Sequence, residues 1–319
     1  MLVPDEKVLV WAARAAAPSA RVFSATGMRA GGNPWLLRLA GAGSVCEVVL
    51  KTGDATAALD RQQLFTTAEA LELAARHALP APRLIAADLD GTAAGTAAIL
   101  MTVLAGSSKI PRVASAARLR ALGAAAGALA NVALTPQPGL ELRTRALYDM
   151  DFAAWRTSAG TSQLLAGAEE QIASLPVPGG ETVLVHGDLW QGNTVWNGDT
   201  CSGLIDWDAA GSGSPGIDLG TLRSDAAVFF GSSPLESTGL PAADEVLAGW
   251  QEAAGRPAEH VAYWDVAAAL CTVGDMSCCL PGDLLGEVGR PDLDAALLSA
   301  RRDAFLAAAL DRLDSREVP

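Results

Sequence analysis

No run of about 20 uninterrupted apolar residues occurs in this 319-residue chain, so no transmembrane helix is expected. The opening stretch MLVPDEKVLVWAARAAAPSA places acids near its start and lacks the basic region and unbroken apolar core of a secretory signal. A soluble, cytoplasmic protein is the expectation. Cysteine is sparse: Cys46, Cys201, Cys271, Cys278 and Cys279 are odd in number, scattered, and without the short paired spacings of a zinc site or a disulfide framework. They read as thiols in a reducing compartment, with no assigned function. Lysine is scarcer still. Only Lys7, Lys51 and Lys109 stand against 20 arginines, so a lysine inside a motif carries weight. Positive charge as a whole is short. The net charge of −13 argues against a nucleic-acid partner, which needs clustered Lys and Arg to displace counterions, and leaves cationic small molecules open as ligands.

What is present is a chain able to collapse. Half its residues are hydrophobic and 18% are charged, the reverse of a disordered composition. After an opening helix over about residues 4–16, the runs RVFSAT, WLLRLAG and VCEVVLK alternate with turns at Gly31-Gly32-Asn33 and Gly41-Ala42-Gly43, which predicts an antiparallel meander. A helix is expected over about 60–77, stopped by Pro80 and Pro82. Two further strands, PRLIAAD and TAAILMTVL, meet at the turn Asp90-Gly91. Alanine- and leucine-rich helical segments follow over about 114–132, 149–175 and from 244 to the C-terminus. The fold class expected is α+β and bilobal: a small antiparallel-sheet N-lobe over residues 1–103, joined near 103–107 to a larger, mainly helical C-lobe over 104–319. A strand-loop-strand insert occupies 182–208.

That insert carries the chemistry. The segment 181–220, ETVLVHGDLWQGNTVWNGDTCSGLIDWDAAGSGSPGIDLG, sets His186, Asp188, Asn193, Asp206 and Asp218 in loops beside the apolar strands VLV and LI. Asp and Asn favour turns in any protein, but the spacing here is specific. His186-Gly187-Asp188-Leu189, three residues and Asn193 reproduce the kinase catalytic-loop pattern with Gly187 in place of Arg. Asp206 follows the apolar pair Leu204-Ile205 where that architecture sets a metal-binding carboxylate. Phosphoryl transfer requires this set: a carboxylate to take the proton of the attacking hydroxyl and hard oxygens to hold Mg²⁺ against the phosphates.

These residues resemble the aminoglycoside phosphotransferase (APH) family of protein-kinase-like enzymes, whose members phosphorylate hydroxyls of antibiotics, choline, sugars or homoserine. The resemblance covers most of the chain and is most specific over 184–220. It implies an ATP- and Mg²⁺-dependent small-molecule kinase, with Asp188 as base, Asn193 and Asp206 as Mg²⁺ ligands, Asp218 steadying the catalytic loop and His186 bracing it. Asp208 matches an acidic position of less defined role. On the nucleotide side, Lys51 ends a predicted strand, much like the lysine that pairs with ATP phosphates, and Glu69 or Glu72 is the candidate partner, Glu69 matching better. The run ILMTVLAG over 99–106 resembles the hinge between lobes, with backbone groups of Thr102 and Leu104 for adenine and Met101 lining its pocket. The glycine pattern G-x-G-x-x-G is missing, and Gly27, Gly31, Gly32 and Asn33 only suggest a phosphate loop.

Three rivals remain on the sequence. A protein kinase is opposed by the absence of Arg at 187, of D-F-G, where Asp206-Trp207-Asp208 stands, and of A-P-E. LIAADLDGT over 84–92 looks like the first motif of haloacid-dehalogenase-type phosphatases, with Asp88 as nucleophile and Asp90 as acid, yet it sits far from the start of the chain and Asp90-Gly91 reads as a β-turn. A non-catalytic nucleotide-binding homologue is the third. The expected partner is a small-molecule hydroxyl acceptor, with an aminoglycoside-like antibiotic or an amino sugar favoured by the acidity of the chain. Asp225, Trp264, Asp265 and Asp275 are the candidate acceptor-lining residues.

Overall fold

The computed structural model describes residues 3–28, 32–41, 44–147, 150–230, 240–272, 274–276 and 284–315. The predicted turn residues Gly31, Ala42 and Gly43, and the cysteines Cys278 and Cys279, lie outside them. The chain divides into two compact units: one of Met1–Ala105 with Pro138–Leu140 and Gly203–Asp208, the other of Gly106–Gln137, Glu141–Ser202 and Ala209–Pro319.

The first unit is built on a five-stranded antiparallel sheet, β1 (Arg21–Gly27), β2 (Trp35–Gly41), β3 (Ser44–Gly53), β4 (Leu84–Asp88) and β5 (Ala97–Thr102), in the order β1-β2-β3-β5-β4. Alternation along a strand sends successive side chains to opposite faces. Val48 and Leu50 of β3 therefore enter a core with Leu37, Leu39 and Leu100, covered by Val8 and Ala12 of α1 (Glu6–Ala16). Lys51 and Val49 stand on the other face. Register sets Met101 opposite Val49 and Ile99 opposite Lys51, so Met101 shares the Lys51 face. Helix α2 (Ala58–Arg76) buries Leu64, Ala68 and Leu71.

The second unit is mainly helical. It holds α3 (Ala116–Leu129), α4 (Phe152–Ala159), α5 (Gln163–Ser174), α6 (Gly216–Phe230), α7 (Leu240–Ala254), α8 (Val261–Ala269), α9 (Leu284–Glu287) and α10 (Ala295–Asp314). Short strands interrupt the helices: β6 (Leu142–Arg143), β7 (Val183–Val185) and β10 (Gly211–Gly213) form one small sheet, and β8 (Thr194–Asn197) pairs with β9 (Thr200–Leu204). Two expectations are corrected here. The helical stretch 149–175 is broken at Gly160, whose φ of 91° is open to glycine and strained for other residues. The stretch from 244 onward is several helices, and α6 was not anticipated at all. Its sequence, GIDLGTLRSDAAVFF, is buried on nearly every side and so carries no amphipathic stripe to read.

A buried ion network ties four of these helices. Arg223 of α6 grips Asp265 of α8 in a two-pronged pair, Nε to Oδ1 at 2.9 Å and Nη2 to Oδ2 at 3.0 Å, and donates to the Ala243 carbonyl of α7. Arg312 of α10 reaches Asp265 Oδ2 at 2.7 Å. Burial pushes the Asp265 carboxyl up, and the two guanidiniums oppose that rise. Complete pairing is what makes so buried a carboxylate tolerable.

Candidate active site

The loop after β7 is held by its backbone. Asp218, at the first turn of α6, is buried and accepts two hydrogen bonds, from His186 N at 2.7 Å and Gly187 N at 3.0 Å. Burial raises its carboxyl above the usual range, and the His186 charge and these two N–H donors oppose that rise. The His186 side chain is fully buried beside it. Gly187 has φ 79°, and a Cβ there would lie 2.2 Å from the Ala209 carbonyl oxygen. Kinase-type Arg is thus replaced by Gly for a steric reason as well as a conformational one. Ala209 and Ala210 are themselves fixed by Arg143, whose Nε and Nη2 bond their carbonyls at 3.2 and 3.1 Å.

From this brace the loop turns Asp188 outward, half-buried, and closes with one turn of 3-10 helix, Gln191–Asn193. Asn193 Nδ2 donates to both the Asp188 carbonyl at 2.8 Å and Asp188 Oδ2 at 3.0 Å. Its Oδ1 is buried and accepts no hydrogen bond from the described residues. An orphaned buried carbonyl oxygen is costly and is a ligand type that suits a hard cation. Behind it, Thr194 and Trp196 are locked by the bond Trp196 Nε1 to Thr194 Oγ1 at 2.6 Å and by Arg118, 3.8 Å above the Trp196 ring.

In the first unit, Lys51 Nζ bonds Asp206 Oδ1 at 2.8 Å and Asp208 Oδ2 at 3.0 Å. Burial alone would push the ammonium down, but the two carboxylates overcome it and the net shift is upward. Asp206 has φ 67°, a strained left-handed conformation of the kind that functional sites retain. The turn before β2 is tied to this strand, since Asn33 Nδ2 donates to Thr52 O at 2.7 Å and Thr52 N donates to Asn33 Oδ1 at 3.0 Å. The expected Lys51 partner on α2 is not found: Glu69 is half-buried against Gly139, Glu72 is exposed, and the ion pairs of Lys51 run to Asp206 and Asp208. At the end of β5, Thr102 N is already used, donating to Arg83 O at 2.9 Å. Among the described residues nothing accepts the Leu104 N–H, which leaves it open to a ligand.

Within the second unit, Asp188 lies in the wall of a cavity of about 390 Å³. Asp225 lines it too. Trp264 and Asp265 do not: Trp264 packs on Gly216, where a Cβ would meet its ring at 2.0 Å, and Asp265 is consumed by the arginine network. Asp275 is exposed and outside the lining, although its neighbour Met276 belongs to it. Sequence reading missed Trp155, Trp190, Phe229 and Arg302 in that wall. They come from four separate stretches of chain, and only the tertiary fold gathers them.

Asp88, the rival nucleophile, accepts the Ala93 and Ala94 N–H groups at 2.9 and 2.5 Å. It caps a turn, which accounts for the DLDGT sequence without catalysis.

Residues 14–262 match the family model described as APH, phosphotransferase enzyme family. The protein belongs to this family. The phosphotransferase fold is shared with solved structures across nearly the whole chain. A macrolide 2'-phosphotransferase of Brachybacterium faecium is similar over 93% of this chain and 97% of its own, with 19% identity and a TM-score of 0.53. An amicoumacin kinase in complex with AMP-PNP, Ca²⁺ and Ami gives 98%, 94%, 14% and 0.53. A thermostable mutant of an aminoglycoside phosphotransferase, in a ternary complex with ADP and hygromycin B, gives 90%, 95%, 14% and 0.53. No protein of curated function matches significantly. The family read from residues 184–220 is thus borne out, as is the α+β kinase-like fold. Among the described residues no helix is long and apolar enough to cross a membrane.

Proposed function

We propose that this phosphotransferase moves the γ-phosphate of ATP to a hydroxyl of a small molecule, with Asp188 as the base. The observation that carries this reading is the catalytic loop: Asn193 holds the Asp188 carboxylate at the wall of a cavity while keeping its own Oδ1 unpaired.

Asp188 accepts the proton of the acceptor hydroxyl as that oxygen attacks phosphorus. Lys51 pairs with the phosphates, and the Leu104 N–H and Met101 serve adenine. Asp218 keeps the loop in register through the His186 and Gly187 N–H groups. The Asn193 Oδ1 and the Asp206 carboxylate are the oxygens we assign to Mg²⁺, which would neutralise charge on the transferred phosphoryl group. Among the described residues no group of three or more His, Cys, Asp or Glu side chains is placed to hold a metal. That suits an ion completed by phosphate oxygens and water more than a protein-only cage. Asp208 shares Lys51 with Asp206, and we assign it the role of keeping the ammonium in place.

The test is acceptor-dependent ADP release with ATP and Mg²⁺, compared between wild type and Asp188→Asn. Turnover should fall by about 10²- to 10⁴-fold in the variant with nucleotide affinity unchanged. Near-normal turnover would remove Asp188 from the mechanism.

A further inference from the structure

The cavity beside Asp188 has a character that the charge of the whole chain does not suggest. Its described wall is mostly aliphatic and aromatic, and only Asp188, Asp225 and Arg302 in it carry charge. Arg302 is spent on the protein: its Nε bonds Asp303, its Nη1 the Thr272 hydroxyl and its Nη2 the Gly274 carbonyl. Asp188 is committed to the reacting hydroxyl. That leaves Asp225, a half-buried carboxylate on α6 that accepts, among the described residues, a single long hydrogen bond of 3.4 Å from the Gln191 backbone N–H. No arginine or lysine forms an ion pair with it among the described residues.

The nearby charge of Arg290 is itself paired with Asp292, and a partly enclosed carboxylate with no ion pair of its own is a good receptor for one cation. Trp190 stacks at a tilt on Phe229, with ring centroids 6.2 Å apart, and Trp155 stands edge-on to Phe152 with half its surface exposed. Aromatic faces of this kind take apolar rings and support a nearby ammonium. A polycation has no place here. Each further ammonium would enter apolar surroundings unpaired, which is strongly unfavourable.

We propose that the acceptor is an alcohol with a largely apolar body and a single basic amine, the amine seated against Asp225 and the body against Trp155, Trp190 and Phe229. This rests on the phosphotransfer reading for the role of Asp188, and it narrows the amino-sugar expectation to one-amine compounds. Of the chain's net charge of −13, the described wall of this cavity holds only two carboxylates and one guanidinium.

The test uses the full chain. Tryptophan fluorescence is titrated, without nucleotide, with the monobasic lipophilic alcohols erythromycin and clindamycin and with the polybasic kanamycin A and gentamicin, in wild type and Asp225→Asn. ADP release is followed with the same four compounds. At least one monobasic probe should bind about 10-fold or more tighter than either polybasic one, and Asp225→Asn should weaken it by about 10-fold or more with the KM for ATP unchanged. Tighter binding of a polybasic probe, binding of neither monobasic probe, or an unchanged affinity in Asp225→Asn overturns the proposal. The expected binding pattern without ADP release upholds the acceptor chemistry and removes the phosphotransfer reading. ADP release with kanamycin A alone does the reverse.

Discussion

Asp225 makes a demand on stability that can be measured without knowing any substrate. Burial raises its carboxyl from 3.8 to about 7, opposed by the Gln191 N–H and the charge of Arg290. Between these values the folded protein holds a proton that the unfolded chain has released, so stability falls as pH rises through this window and is level above it. Three pH units at about 1.4 kcal/mol each give a loss of about 4 kcal/mol. Asp225→Asn cannot lose that proton. Urea denaturation followed by tryptophan fluorescence at pH 5 and pH 8 should find the two proteins closer in stability at pH 5 and the variant ahead by about 3 kcal/mol or more at pH 8. The other charged or titratable groups of this cavity, Asp188, Arg302 and Cys271, and the raised carboxyls Asp218 and Asp265, are common to both proteins and cancel in the difference. A stability difference that does not change between pH 5 and pH 8 would refute the reasoning.

Other perturbations separate positioning from structure. Gly187→Ala should destabilise by about 2 kcal/mol or more, because the added Cβ strikes the Ala209 carbonyl in a left-handed backbone; an unchanged urea midpoint would contradict that. Asp265→Asn should cost about 3 kcal/mol or more by stranding Arg223, while the folded fraction keeps its KM for acceptor. A raised KM at full stability would return Asp265 to the acceptor site. Asn193→Ala removes the donor to Asp188 and the unpaired oxygen together, and should cut kcat by about 100-fold and raise the Mg²⁺ concentration for half-maximal ADP release. Unchanged metal dependence would remove Asn193 from the cation.

The sequence carried the catalytic loop because its residues lie close together. Asp188 and Asn193 are five positions apart and meet through one turn of backbone, so spacing alone is informative. Lys51 was legible through rarity and its strand-end position, and its sheet register follows from alternation. Its partner was not. Glu69 and Glu72 were sought on the next helix, whereas the carboxylates that reach Lys51 are those of Asp206 and Asp208, about 155 residues later. The acceptor candidates show the other limit. Asp225 and Asp265 look alike in sequence, and only the positions of Arg223 and Arg312 decide that one is neutralised and the other is not. Helix α6 was hidden because a segment buried all round has no polar face to announce its period.

The double pairing of Lys51 has a consequence for how the nucleotide side must operate. Its ammonium pairs with two carboxylates, so in its proposed role engaging ATP would be a redistribution of partners and not a simple gain. Lys51 bonds one oxygen of Asp206, Oδ1, and a carboxylate has room for several partners, so phosphates drawing on the ammonium would shift this pairing without having to break it. Nucleotide and divalent ion are therefore expected to strengthen one another's binding, phosphate charge answering the lysine and the cation answering the carboxylates.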